Sequence, residues 1–266
     1  KYHLNLSQDG TFNPRDIFGS HDDSDHVYNT PRAWYMARCL NPSTMNWDGP
    51  DADFTPLSDD IPWCMVPEKK VTIEDVKYVL SSHFQGTPYD PYASYGDKSM
   101  KGAYRAIGVN RTDFLGIIQM RPDAGEDSRA IEWVAFASNV FNTAAPFYTD
   151  VEKVPEYFSN TTGDASTDNF YWASRMIAAM ADASYSKSIF HIERYQERVM
   201  SKGHEYINQY DELLEKESNA EKRMQLRQEA NEKIADMVKK ETQDTLNKVL
   251  YELSNQMKNA YSRSDA

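Results

Sequence analysis

Arg32 stands in an unfavourable place. The stretch VYNTPRAWYM, residues 27–36, reads as a helix start with Thr30 as N-cap and Pro31 at the first helical position, where its missing N–H costs nothing. A helix N-terminus carries partial positive charge, so a cation in the first turn is disfavoured by a few tenths of a kcal/mol, up to about 1. An arginine kept there has either a carboxylate beside it, for which Asp22 and Asp25 are the candidates, or another anion to stabilise.

Other residues have chemical capacity too. HDDSDH, from His21 to His26, concentrates imidazoles and carboxylates, yet it lacks both His-x-x-x-His spacing and the glycine pattern of a calcium loop. It reads as a solvated acidic loop, with no metal assigned. The loop GTPYDPYASYGD is stiffened by Pro88 and Pro91 and offers Tyr89 and Asp90 as substrate-binding groups. Asn139 and Asn142 end a hydrophobic run in Ser-Asn-Val-Phe-Asn; they are placed either to hydrogen-bond substrate amides or to cap a buried turn. Asn110-Arg111, between two apolar runs, reads as a turn. Cys39 falls inside the helix that Arg32 opens and Cys64 in a loop, and neither has a patterned histidine partner to activate its thiol.

Composition narrows the classes. The chain has 266 residues, with 40% hydrophobic and 12% aromatic content, enough for a packed core. Its formal net charge of -12 argues against a nucleic acid or an anionic membrane as partner, since both would repel it. No run approaches the roughly 20 apolar residues of a transmembrane helix. Two cysteines outside any C-x-x-C make a disulfide framework or a cysteine zinc site improbable and fit a reducing cytoplasm, with a secreted form left open. No cofactor is called for.

The elements that must position these residues fall into three regions. Up to about Pro67 the chain reads as loop, the Thr30–Leu40 helix, and a proline-studded stretch (Pro42, Pro50, Pro56, Pro62) too broken for regular structure. Thr72-x-x-Asp75 is a capping box ahead of a helix carrying Val76, Val79 and Leu80 and ending near Gly86. In the middle, FLGIIQMR (114–121) and AIEWVAFA (130–137) flank a reversal with Pro122 and Gly125, and read as antiparallel neighbours. Both are nearly continuous apolar runs. Trp133 and Val134 are therefore expected buried on opposite faces of an interior sheet, with a helix after Asn169 packing on it through Tyr171, Met176, Ile177 and Met180. Last come two long helical stripes, from Ile189 to Leu214 and from Met224 to Met257, joined near Ser218-Asn219 as an antiparallel hairpin with no catalytic signature.

The strings NTPRAW, TPYDPY, YRAIGVNRTDFLGIIQMRP, IEWVAFASNVFNTAAPFY and STDNFYWASRMIAAMAD together resemble, in this order, the C-terminal portion of bacterial PepD-type dipeptidases. These are cysteine peptidases of the N-terminal-nucleophile superfamily, similar in fold to penicillin V acylase and bile salt hydrolase. The resemblance implies an α+β fold: residues 1–186 as the C-terminal part of a four-layer αββα sandwich, and 187–266 as the long hairpin. It implies a dipeptide substrate, a homo-oligomer, and a thioester mechanism on an amino-terminal cysteine whose own amine is the base. This chain opens with Lys1. The nucleophile and the oxyanion asparagine are therefore expected in an upstream segment of the same protein, and this chain alone is expected to be inactive. The resemblance also gives Arg32 a catalytic task, favouring the thiolate and holding the amino terminus. Two other classes compete: a peptide-binding module using the TPYDPY loop, and an oligomerisation module built on the hairpin.

Overall fold

The chain divides into two units, residues 1–107 and 108–266; the computed structural model describes residues 14–19 and 22–259. The architecture is α+β, with helices in both units and one small antiparallel sheet in the second. His21 lies outside the described residues.

In the first unit, short helices stand among long loops: α1 (Pro14–Phe18), α2 (Asp25–Tyr28), α3 (Thr30–Leu40) and α4 (Ile73–Leu80). Its core is aromatic. Trp34 and Tyr35 from α3 bury against Trp47, Ile61 and Phe84, with Phe54, Tyr89 and Tyr104 packed around them. Proline-rich loops cannot pair their backbone in ladders, so the polar tips of the core aromatics do it instead. Trp34 Nε1 donates to Phe54 O at 3.1 Å, Trp47 Nε1 to Asn41 O at 2.8 Å, and the Tyr35 hydroxyl to Gln85 O at 2.9 Å.

Two helix boundaries differ from expectation. The N-cap of α3 is Asn29, not Thr30; it makes no side-chain cap bond, and its amide nitrogen donates to the Asp25 carboxylate. The Thr72/Asp75 capping box opens α4 as expected, but the helix stops at Leu80, well before Gly86. The chain reverses there through Phe84 at φ 65° and Gly86 at φ 76°. Phe84 is fully buried in the aromatic core, whose packing holds it in a left-handed conformation that a bulky residue rarely adopts.

The second unit is built on β1 (Phe114–Met120), β2 (Ala130–Phe136) and β3 (Ala145–Tyr148), in that order and antiparallel, with Ile117 opposite Trp133 and Trp133 opposite Pro146. Helices α5 (Glu156–Ser159), α6 (Phe170–Ala183), α7 (Tyr185–Lys216) and α8 (Ala220–Ser254) follow. One face of the sheet, with Ile131, Trp133 and Ala135, is buried beneath the long helices: the Trp133 ring lies 4.6 Å from His204, and the Tyr148 hydroxyl donates to Ile207 O at 3.1 Å. The edge of β3 is closed by a side chain. Asn231 of α8 accepts from Tyr148 N at 2.9 Å and donates to Tyr148 O at 3.0 Å, completing the pairing a neighbouring strand would supply.

The opposite face corrects the expectation of a sheet covered on both sides. Phe136 and Phe147 pack on Phe158 of α5, and Phe136 also on Phe170 of α6, but Val134 is only half-buried. On β1, Phe114, Ile118 and Met120 are 56, 68 and 62% exposed. The short α5 and the start of α6 reach β2 and β3 and go no further. The buried stripe of α6 is also rotated from the expected one: Phe170, Ala173, Ile177, Ala178 and Ala181 face inward, while Tyr171, Met176 and Met180 are half-buried.

The two long helices run in opposite directions. Contacts pair Tyr195 with Thr242 at 2.7 Å, Arg198 with Glu241 at 2.8 Å and Tyr210 with Glu229 at 2.9 Å, so residue numbers rise on α7 as they fall on α8. No described helix is long and apolar enough to cross a membrane.

Candidate functional site

The burial of Trp34 and Tyr35 fixes the rotation of α3 and leaves Arg32 half-buried in its first turn. That turn carries no acidic residue. Arg32 Nε donates to the backbone oxygen of Arg105, 73 positions along the chain, at 3.1 Å. The Arg105 backbone N–H in turn donates to Val27 O at 3.0 Å, and its guanidinium lies 5.7 Å from the centre of the Tyr28 ring. Residues 27–32 and 105 thereby bring the two arginine side chains close enough for the Arg105 charge to act on Arg32. Burial, and then the Arg105 charge, hold the Arg32 guanidinium below the ordinary arginine range.

Arg32 pairs with neither Asp22 nor Asp25. Asp22 accepts from Ser24 N at 2.9 Å, and Asp25 accepts from the Asn29 amide. Among the described residues, no carboxylate stands within ion-pair distance of Arg32 or Arg105. Arg32 therefore bears desolvation and like-charge repulsion that no described carboxylate offsets. Arg105 escapes a reading of the sequence because its partner is distant in the chain; the string YRAIGVN marks it only as one more arginine.

The other predicted residues are placed as follows. Tyr89 packs edge-on to Trp34 at 6.1 Å between ring centres and against Tyr104 at 4.7 Å. Asp90 is buried, accepting from Tyr92 N at 2.9 Å and standing 2.9 Å from His83 Nδ1, whose ring meets Tyr92 edge-on. This imidazole–carboxylate pair, which sequence spacing does not signal, pins the TPYDPY loop to the reversal after α4. Asn139 and Asn142 belong to the second unit. Asn142 Nδ2 donates to Phe136 O at 2.7 Å, Ala137 O at 3.2 Å and Asn139 Oδ1 at 3.2 Å, bracing the turn after β2 where Ala137 has φ 67°. Asn110 lends its carbonyl to Arg175 at 3.1 Å. The structure thus brings Arg32 together with Arg105, sets Tyr89 against the same helix, and gives both asparagines to a turn.

Neither cysteine is set up as a nucleophile by its neighbours. Cys39 lines an open cleft of about 470 Å³ with Tyr35, Arg38, Asp75, Tyr78 and Gly86. Burial pushes its thiol up, against the smaller opposing effects of the Tyr35 hydrogen bond and the Arg38 charge, which keeps it protonated and weakly nucleophilic. Cys64 is exposed. In the acidic stretch, His26 meets Asp59 at 3.1 Å, and among the described residues no group of three His, Cys, Asp or Glu is placed to hold a metal.

Residues 1–198 match the model of peptidase family C69. The chain belongs to that family. It is similar to a dipeptidase of Bifidobacterium longum, 45% identical with 99% of this chain and 57% of the relative covered. It is also similar to a probable dipeptidase A of Streptococcus pyogenes (44% identical; 99% and 53% covered) and a dipeptidase A of Lactobacillus helveticus (32% identical; 95% and 51% covered). This C69 chain therefore spans about half the length of the curated relatives it matches. Both Arg32 and Arg105 fall within the matched residues.

Proposed function

We propose that the protein to which this chain belongs is a dipeptidase of the cysteine type. Membership in C69, with relatives named dipeptidases along nearly all of this chain, carries the reading. In the mechanism proposed, a thiolate attacks the carbonyl carbon of the single peptide bond. The C–N bond then breaks as the leaving amine takes a proton, the acyl group stays on sulfur as a thioester, and water cleaves that thioester to free the acid and the thiol. The nucleophile is assigned to the part of the family's length that this chain does not span. The raised Cys39 thiol supports that assignment, because a catalytic cysteine needs the opposite shift.

Arg32 is the residue of this chain assigned to the chemistry. A half-buried guanidinium with no carboxylate partner among the described residues favours any anion brought beside it, and a thiolate is one. The open face of β1, where Phe114, Ile118 and Met120 are exposed, supports the further reading that a second layer of a sandwich covers this sheet in the whole protein.

The test is hydrolysis of L-alanyl-L-alanine by the whole protein before and after iodoacetamide. The reading expects turnover that alkylation abolishes, and the same result in a Cys39→Ser, Cys64→Ser double variant. Absence of turnover, or a double variant that alkylation no longer inhibits, would overturn it.

A further inference from the structure

The paired guanidiniums ask for more than one anion. Arg32 spends Nε on the backbone of residue 105 and retains its two terminal nitrogens, while Arg105 lies with its guanidinium over Tyr28. Cation–aromatic stacking orients a guanidinium but does not neutralise it. The surroundings add positive character, because the first turn of α3 contributes its helix dipole and no acidic side chain. In a chain of net charge -12, with 41 acidic residues to draw on, this spot holds two cations and, among the described residues, no counter-ion.

We infer that Arg105, held beside Arg32, binds the free C-terminal carboxylate of the substrate, so that the pair measures the peptide's length. This rests on the dipeptidase reading for the identity of the ligand. A dipeptide presents two anionic demands close together: the thiolate and developing oxyanion at the scissile carbonyl, and a carboxylate one residue further on. Each added residue moves that carboxylate by about 3.3 to 3.6 Å. Neighbouring cations can therefore serve both groups of a dipeptide at once but not those of a longer peptide cut at its first bond. The planar fork of a guanidinium matches a carboxylate through two parallel hydrogen bonds. The same charges repel the substrate's ammonium group, which orients the amino end away from the pair.

Binding can be tested without turnover. The probes are an alanyl-alanine analogue whose peptide bond is reduced to CH2–NH, and its C-terminal carboxamide, titrated calorimetrically into the whole protein. The carboxylate form should bind about 10- to 100-fold more tightly than the carboxamide, the usual worth of hydrogen bonds to a charged group. Arg105→Gln should erase that gap by weakening only the carboxylate form, and Arg105→Lys should restore part of it. Both variants keep the backbone oxygen that Arg32 uses, and Arg38→Gln, outside the pair, should leave the gap intact. Equal affinities for the two forms, including failure of both to bind, would overturn the inference, as would a gap that survives Arg105→Gln. A protein that shows the gap yet hydrolyses no dipeptide would defeat the dipeptidase reading and leave the carboxylate site standing.

Discussion

The arginines that brace the second unit and the Arg32–Arg105 pair of the first are treated in opposite ways, while Arg38 of the first unit meets Asp48 at 2.9 Å. In the second unit, Arg121 meets Asp211 at 3.1 Å, Arg198 meets Glu241 at 2.8 Å, Arg223 reaches Asp127 at 2.7 Å, and Arg227, 4% exposed, bridges Asp127 at 2.5 Å and Asp150 at 3.0 Å. Arg223 first, with Arg227 adding its charge, holds the Asp127 carboxyl below the usual carboxylate range. In the first unit, Arg32 and Arg105 stand together with no carboxylate among the described residues. The lesson is one of division of labour. A paired, buried arginine is spent on holding elements together, whereas an uncompensated one lowers stability and keeps its field for a ligand.

The largest effect expected from breaking that contrast is in the second unit. Arg227→Met should cost about 3 kcal/mol in denaturant unfolding, because it strips one partner from Asp127 and leaves the Asp150 carbonyl without its donor. Gly203→Ala follows. An added Cβ would lie 2.6 Å from Pro146 Cδ, and neither the proline ring nor the buried helix can give way easily. A net loss of about 1 to 2 kcal/mol is expected after the gain in helix propensity.

Next comes the pH dependence of the first unit. Lys77 is buried and donates to Ser81 Oγ at 2.7 Å, and burial pushes its ammonium down to about 7. Between pH 7 and the unfolded value of about 10.4, the unfolded chain binds a proton that the folded chain has released, so stability rises with pH across that window, by up to about 1.4 kcal/mol per unit. Lys77→Met should flatten that slope in melts followed from pH 7 to 10. Asp127 has the same sign in a lower window: its contribution is present above about pH 3.9 and is lost as pH falls through its depressed folded value, so stability again rises with pH. The smallest effect belongs to Arg32→Met, which should change unfolding free energy by no more than about 1 kcal/mol and can raise it, since it removes a charge that no described carboxylate compensates.

Local signals in the sequence proved readable where the physics is local. The Thr72/Asp75 box opens α4, and the junction expected near Ser218-Asn219 falls between α7 and α8. The two apolar runs form adjacent antiparallel strands with Phe114 opposite Phe136. β3 was not legible, because its four residues include Pro146 and its edge is completed by Asn231, 83 positions away. The coverage of β1 was not legible either: continuous hydrophobicity records that a face is apolar, not which element reaches it. In the site, Arg32 declared itself through a local conflict with the helix dipole. Arg105 and the His83–Asp90 pair arise from tertiary approach, which no spacing in the chain announces.

The account turns on whether Arg32 acts in chemistry or in folding, and one comparison separates them: kcat and Tm of Arg32→Lys in the whole protein. A flexible ammonium lacks the fork that donates to the residue 105 carbonyl and faces an anion at the same time. The account predicts that kcat falls about 100- to 1000-fold, the usual loss for one charge-stabilising donor, while Tm stays within about 3 °C. A near-normal kcat accompanied by a clear fall in Tm would contradict it.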